Sequence, residues 1–212
     1  MTTFALIHGG GGSGWDFHRL VPELAARGHD AVAPDLPITD PSAGLAEFTD
    51  TVLSALGDRT DVAVVGHSYG GFTAPLVAAK VRARTLVYLA GMIPAPGEPP
   101  GQWWGNTGFA APAGLSETEQ YFNDVTPELA RECQSRGRDQ VSKEWDEPWP
   151  LPAHPDIPTH VLLCRDDRFF VPDFQRRVAQ ERLAITPDEI DGGHCVALSR
   201  PAELADRLIS YL

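Results

Sequence analysis

Near-continuous apolar runs recur along this chain, separated by stretches with helical spacing. Phe4-Ala5-Leu6-Ile7 ends at His8 and a run of four glycines, and reads as a buried strand. Residues 15–27 carry Phe17, Leu20, Val21 and Leu24 at helical spacing, with Gly28 placed to close the helix. Asp30-Ala31-Val32-Ala33 predicts a second strand, stopped at Pro34-Asp35. Residues 45–56 put Leu45, Phe48, Val52, Leu53 and Leu56 on one helical face, and Gly57 follows. Val62-Ala63-Val64-Val65 is a third strand, residues 72–79 a helix, and residues 85–90 a fourth strand. Pro75 falls inside that helix, where it is expected to forfeit a backbone hydrogen bond.

The alternation then stops. Residues 92–156 are rich in Pro, Gly and Trp, with weak helical stretches only near 117–124 and 126–136. It resumes with a strand at 159–164, a helix at 172–180, a short strand at 188–190 and a final helix at 202–211. Strands that are apolar throughout, rather than at every second residue, belong to a sheet covered on both faces. The expectation is an α/β fold: one domain over 1–212, with a mostly parallel sheet, helices on both faces and a small inserted cap at about 92–156.

Composition narrows the function classes. The 212 residues carry a net charge of −12, and their basic residues are scattered, with Arg176-Arg177 the nearest thing to a patch. A nucleic-acid partner needs clustered Lys and Arg, so none is expected. No apolar stretch approaches the length of a membrane span, and Met1-Thr2-Thr3 lacks the basic start of a signal peptide, so the reading is a cytoplasmic protein without a membrane partner. A homodimer is left open. Cys133, Cys164 and Cys195 are odd in number and have no metal spacing; idle thiols are the simple reading, with Cys195 singled out because it follows His194.

Candidate chemistry centres on Gly66-His67-Ser68-Tyr69-Gly70, directly after the third strand. A strand running into G-x-S-x-G turns sharply into a helix and exposes a serine hydroxyl at the apex. Such a serine needs a base, an acid to orient the base, and donors for an oxyanion. His194, in the Gly-rich turn Asp191-Gly192-Gly193-His194, is the candidate base. His67 is adjacent to the serine, but neighbouring side chains on a sharp turn point apart. His8 reads as a brace for its loop. The acid is Asp166 or Asp167, which the residue pattern alone does not separate; Asp35 precedes the serine and Asp191 reads as a turn former. For the oxyanion, Tyr69 supplies one backbone N–H and Gly10, in the loop after the first strand, the other. The glycine run lacks the lysine of a phosphate loop, and a dinucleotide reading explains neither Ser68 nor His194. No metal or organic cofactor is called for.

With those residues in place, the chain resembles the α/β-hydrolase superfamily, and most closely its plant methylesterase and hydroxynitrile lyase-like branch. The likeness rests on Phe4-Ala5-Leu6-Ile7-His8-Gly9, Gly14-Trp15, Gly28-His29, Asp35-Leu36, Gly66-His67-Ser68-Tyr69-Gly70-Gly71, residues 167–175 and Gly192-Gly193-His194. In that branch the acid precedes a hydrophobic stretch, a proline and Phe-Gln, which implies Asp167. Lyases of the branch place a lysine after the catalytic histidine and a hydroxyl beside the oxyanion. This chain has Cys195 and Gly9 there, which argues against cyanohydrin chemistry. Its middle insertion is also shorter than usual for the branch.

The resulting expectation is a serine hydrolase acting on a carboxylic ester of a small, apolar molecule through an acyl-enzyme. A lyase or C–C bond hydrolase using the same triad, and a slow receptor-like binding protein, are the alternatives. Trp103, Trp104, Phe109, Tyr121, Phe122, Trp145 and Trp149 are candidates for an apolar substrate pocket, or else for the insertion's own small core.

Overall fold

The computed structural model describes all 212 residues. Six strands, β1 (Thr3–Ile7), β2 (Asp30–Val32), β3 (Val62–His67), β4 (Thr85–Leu89), β5 (Thr159–Cys164) and β6 (Asp188–Ile190), form one sheet in the order β2-β1-β3-β4-β5-β6. Every neighbouring pair is parallel. The helices between them are α1 (Leu20–Ala26), α2 (Leu45–Leu56) and α3 (Ala74–Val81), then α4 (Pro100–Asn106), α5 (Glu117–Tyr121) and α6 (Pro127–Ser135) between β4 and β5. The chain closes with α7 (Pro172–Leu183), α8 (Val196–Ser199) and α9 (Pro201–Ile209).

The two-sided sheet explains the unbroken apolar runs. Alternate residues of one strand enter different cores: Ala5 and Ile7 of β1 pack with α2, α3 and α7, while Phe4 and Leu6 pack with α1 and α9. The same division holds for Val62 and Val64 against Ala63 and Val65 of β3. With both faces covered, the inner strands are apolar along most of their length, and their polar residues fall at the ends, such as Thr3, Thr85 and His67.

Strand order also locates the site. The chain winds outward from β1 to β2, then crosses back to β3 on the other side of β1. Ligands of open α/β sheets bind at such a reversal, outside the carboxyl ends of the strands. Ile7 lies opposite Gly66 in the register, so the glycine loop after β1 and the serine turn after β3 emerge side by side.

Several local expectations are corrected. Residues 15–27 do not form one helix; a 3₁₀ turn, Gly14–Phe17, precedes α1. Pro75 sits in the first turn of α3, where no N–H partner is needed, because residues 68–71 form a separate 3₁₀ turn. Helix α4 has no apolar periodicity to announce it. It is held by Trp103, whose ring is buried in the main core and whose indole N–H donates to the Ile93 carbonyl at 2.9 Å. Trp149 is equally buried and donates to the Phe72 carbonyl at 3.0 Å. The stretch between β4 and β5 is therefore rooted in the core of the sheet by its two fully buried tryptophans. Trp103→Ala is expected to lower stability by about 3–5 kcal/mol in urea unfolding. A loss under about 1 kcal/mol would show that the ring contributes little to that core. No helix is long and apolar enough to cross a membrane.

Candidate active site

Ser68 follows β3 directly and holds φ +50, a left-handed conformation that serine adopts rarely. Such strain costs on the order of 1–3 kcal/mol and persists only where the surroundings enforce it. Here they do: the Met92 N–H donates to the Ser68 carbonyl at 2.9 Å. A Cβ on Gly66 would come within 2.6 Å of the Ala74 Cβ, and one on Gly70 within 2.5 Å of the Ile7 carbonyl oxygen. Both glycines are required by close approach, as the motif predicts.

His194 Nδ1 lies 2.8 Å from Asp167 Oδ2, and both residues are buried. The nitrogen facing a carboxylate carries the proton, so Nε2 holds the free lone pair. Asp167 is fixed in turn. Its Oδ1 accepts the backbone N–H groups of Phe169 at 2.8 Å and Phe170 at 2.9 Å, and Gln175 Nε2 approaches Oδ2 at 3.4 Å. Asp166 instead accepts the Gly192 N–H at 3.1 Å, bracing the loop that carries His194. Asp191 pairs with Arg165 at the surface. Of the two adjacent acids, Asp167 meets the histidine.

His67 has a use that the sequence reading missed. Its side chain does point away from Ser68, toward the histidine loop, where Nε2–H donates to the His194 carbonyl at 2.9 Å. Burial pushes its pKa down to about 3, so it stays neutral and keeps that donor. His8 braces its loop as expected. Nε2 accepts the Leu36 N–H at 3.0 Å, which leaves Nδ1–H to donate to the Gly9 carbonyl at 2.9 Å. Burial lowers its pKa to about 4.

Ser68, His194, Gly10 and Tyr69 all line one cavity of about 590 Å³ at the carboxyl edge of the sheet. The backbone N–H groups of Gly10 and Tyr69 are engaged by no acceptor of the protein. A fixed acid, an oriented imidazole with a free nitrogen, a serine at a turn apex and two unengaged N–H groups are the parts that acyl transfer needs.

The aromatic candidates divide. Trp104, Trp145, Tyr121 and Phe122 line the cavity. Trp103 and Trp149 do not; they belong to the core, where each indole N–H also finds a backbone carbonyl. Phe109 does not reach the cavity either, and packs on Phe169, Phe170 and Phe174. Sequence reasoning missed Met92 and Phe169 on the apolar side, and Asp16, Arg138 and Gln140 on a polar side. Cavity chemistry is thus mixed rather than apolar. Cys195 packs beside the small cluster of Phe122 and Leu198, and burial raises its thiol well above the ordinary value.

A family profile described as "Alpha/beta hydrolase family" matches residues 4–207. Norfluorocurarine synthase 1 of Strychnos nux-vomica is 26% identical over 97% of this chain and 96% of its own length. The carbendazim hydrolyzing esterase of Nocardioides sp. (strain SG-4G) is 30% identical over 46% of this chain, and that match spans 45% of the relative. Among solved structures, polyneuridine aldehyde esterase superposes with a TM-score of 0.83 over 99% of this chain and 98% of its own, at 18% identity, a likeness of fold.

Proposed function

The chain belongs to the alpha/beta hydrolase family, and from that premise we propose that it is a serine hydrolase of carboxylic esters, working through Ser68, His194, Asp167 and an acyl-enzyme. The observation that carries this reading is the buried 2.8 Å contact between Asp167 and His194, on the wall of the cavity that also holds Ser68. That contact fixes the tautomer in which Nε2 can accept a proton.

The steps are those that this set of groups would carry out. His194 Nε2 takes the Ser68 hydroxyl proton as Oγ attacks the ester carbonyl. Charge moves to the carbonyl oxygen, which the Gly10 and Tyr69 N–H groups receive. Asp167 stabilises the imidazolium without taking the proton. His194 then protonates the leaving alcohol, and water attacks the acyl-enzyme by the same route. Residues 92–156 act as a cap that shapes the pocket, with Trp104, Trp145 and Tyr121 against the apolar part of the substrate. Two relatives whose names describe esterases support ester chemistry. Cys195, a neutral thiol, cannot supply the cation that cyanohydrin cleavage calls for at that position.

A panel of p-nitrophenyl esters tests the reading, alongside a fluorophosphonate probe and with cyanohydrins and β-diketones as competing substrates. Stoichiometric labelling of Ser68 is expected, with kcat/KM for short apolar or aromatic acyl groups at least about tenfold above that for charged ones, each apolar group removed from water adding roughly 1–3 kcal/mol. Equal rates across the panel would remove the apolar acyl pocket. Absence of labelling would remove the nucleophile.

A further inference from the structure

Four consecutive glycines, Gly9–Gly12, form the loop that supplies one oxyanion donor. Glycine has more backbone freedom to lose than any other residue, and the loop carries no side chain to pack in place. Something outside the loop has to aim its N–H groups. The contacts of the loop show what does. Gly11 N–H donates to Gln140 Oε1 at 3.1 Å, and the Gly11 carbonyl accepts the Arg138 N–H at 2.8 Å. Both faces of one glycine residue are thus gripped by a single segment of the insertion, at the residue after the donor Gly10.

The grip continues inward. Gln140 Nε2 donates to Glu144 Oε1 at 2.7 Å, and the same oxygen accepts the Tyr69 hydroxyl at 3.1 Å. Glu144 is completely buried. Burying a carboxylate is unfavourable unless it is hydrogen-bonded, and both bonds to this one go to residues that lead to the oxyanion site. The chain Gly11–Gln140–Glu144–Tyr69 therefore joins the two backbone segments that carry the unengaged N–H groups of Gly10 and Tyr69. The other oxygen, Oε2, is buried without a partner, so the two bonds to Oε1 are the only ones that hold the carboxylate.

We propose that Gln140 and Glu144 are positioning residues that hold the Gly10 and Tyr69 N–H groups in register, so that the insertion between β4 and β5 completes the oxyanion hole. This rests on the serine-hydrolase reading above. Glu144 lies off the cavity wall and Gln140 on its polar side, and both act through the loop and the tyrosine.

The test compares Gln140→Ala, Glu144→Ala, the double variant and Glu144→Gln on one p-nitrophenyl ester, with kcat and KM measured separately and fluorophosphonate labelling rates measured in parallel. Gln140 is half-buried and fills no core space, so its alanine variant is expected to fold. Gln140→Ala and Glu144→Ala are each expected to lower kcat and the labelling rate by about 10- to 100-fold, the scale of a small misplacement in an active site, with KM within about twofold. Because both act through one network, the double variant should be hardly worse than either single one. Glu144→Gln keeps an oxygen that accepts from both Tyr69 and Gln140, and should hold kcat within about threefold. A merely structural role would shift the unfolding midpoint and leave kcat of the folded fraction alone. Wild-type kcat in Gln140→Ala, with the wild type labelled and active, overturns the proposal and leaves the serine-hydrolase reading standing. A wild type that neither labels nor turns over esters overturns both.

Discussion

Replacing Ser68 with alanine is expected to lower kcat on a p-nitrophenyl ester by about 10⁴- to 10⁶-fold, with binding of a non-hydrolysable analogue within about twofold. The loss is large because no other group near His194 Nε2 offers a nucleophile. Cys195 is held as a neutral thiol, and the Tyr69 hydroxyl is committed to Glu144. What remains is the residual catalysis of two N–H donors and a binding cavity. Stability should hardly change, since alanine keeps the Cβ and meets the same φ +50 requirement. Steady-state rates, unfolding midpoints and labelling on the same preparations check all of this. Retained turnover in a properly folded Ser68→Ala variant would end the covalent mechanism.

Acidification from pH 7.5 to 4.5 is expected to remove about 3–5 kcal/mol of stability, well before most carboxylates are protonated. His8 and His67 are the cause. Their pKa values are pushed down to about 4 and about 3 by burial, against about 6.5 in an unfolded chain. Between these limits the unfolded state binds protons that the native state refuses. Their stabilising contribution is therefore complete above about pH 6.5 and falls as the pH drops toward the folded values. His8 contributes roughly 2–3 kcal/mol of this by pH 4.5. His67 is half-buried and contributes less than its shift alone would give. Protonation would also strip His8 of the Leu36 N–H bond, since a charged imidazole accepts nothing. Urea midpoints at the two pH values measure the loss. A stability that stays level down to pH 4.5 would contradict the burial of both rings.

Much of the scaffold is legible in the chain because a strand buried on both faces writes a continuous apolar word. β5 is found at its bounds for that reason, and α2 is found at its bounds because its apolar stripe faces one core. Ser68 and His194 stand out as candidates because each sits beside glycines, whereas the residue pattern leaves Asp166 and Asp167 open and only the family resemblance points to Asp167. Legibility ends where tertiary contact alone makes the structure. α4 exists because Trp103 is drawn into the core, and nothing in Pro100-Gly101-Gln102-Trp103-Trp104 says helix by itself. For the same reason Trp103 and Trp149 read as pocket residues when they are core. Gln140 and Glu144 are ordinary polar residues in a polar stretch. Only the three-dimensional course of the chain brings them to Gly11 and Tyr69, more than seventy residues away in each case.

The sheet ends on both sides in a strand of three residues, β2 and β6. Within β6, Glu189 is held by Arg165 and Arg176, which sets charge along that margin. Short, charged margins give an incoming strand few partners and little to gain. A strand added at either margin would find at most three residues to pair with. The long apolar strands that give the protein its core lie inside these two margins, where every backbone edge already has a neighbour.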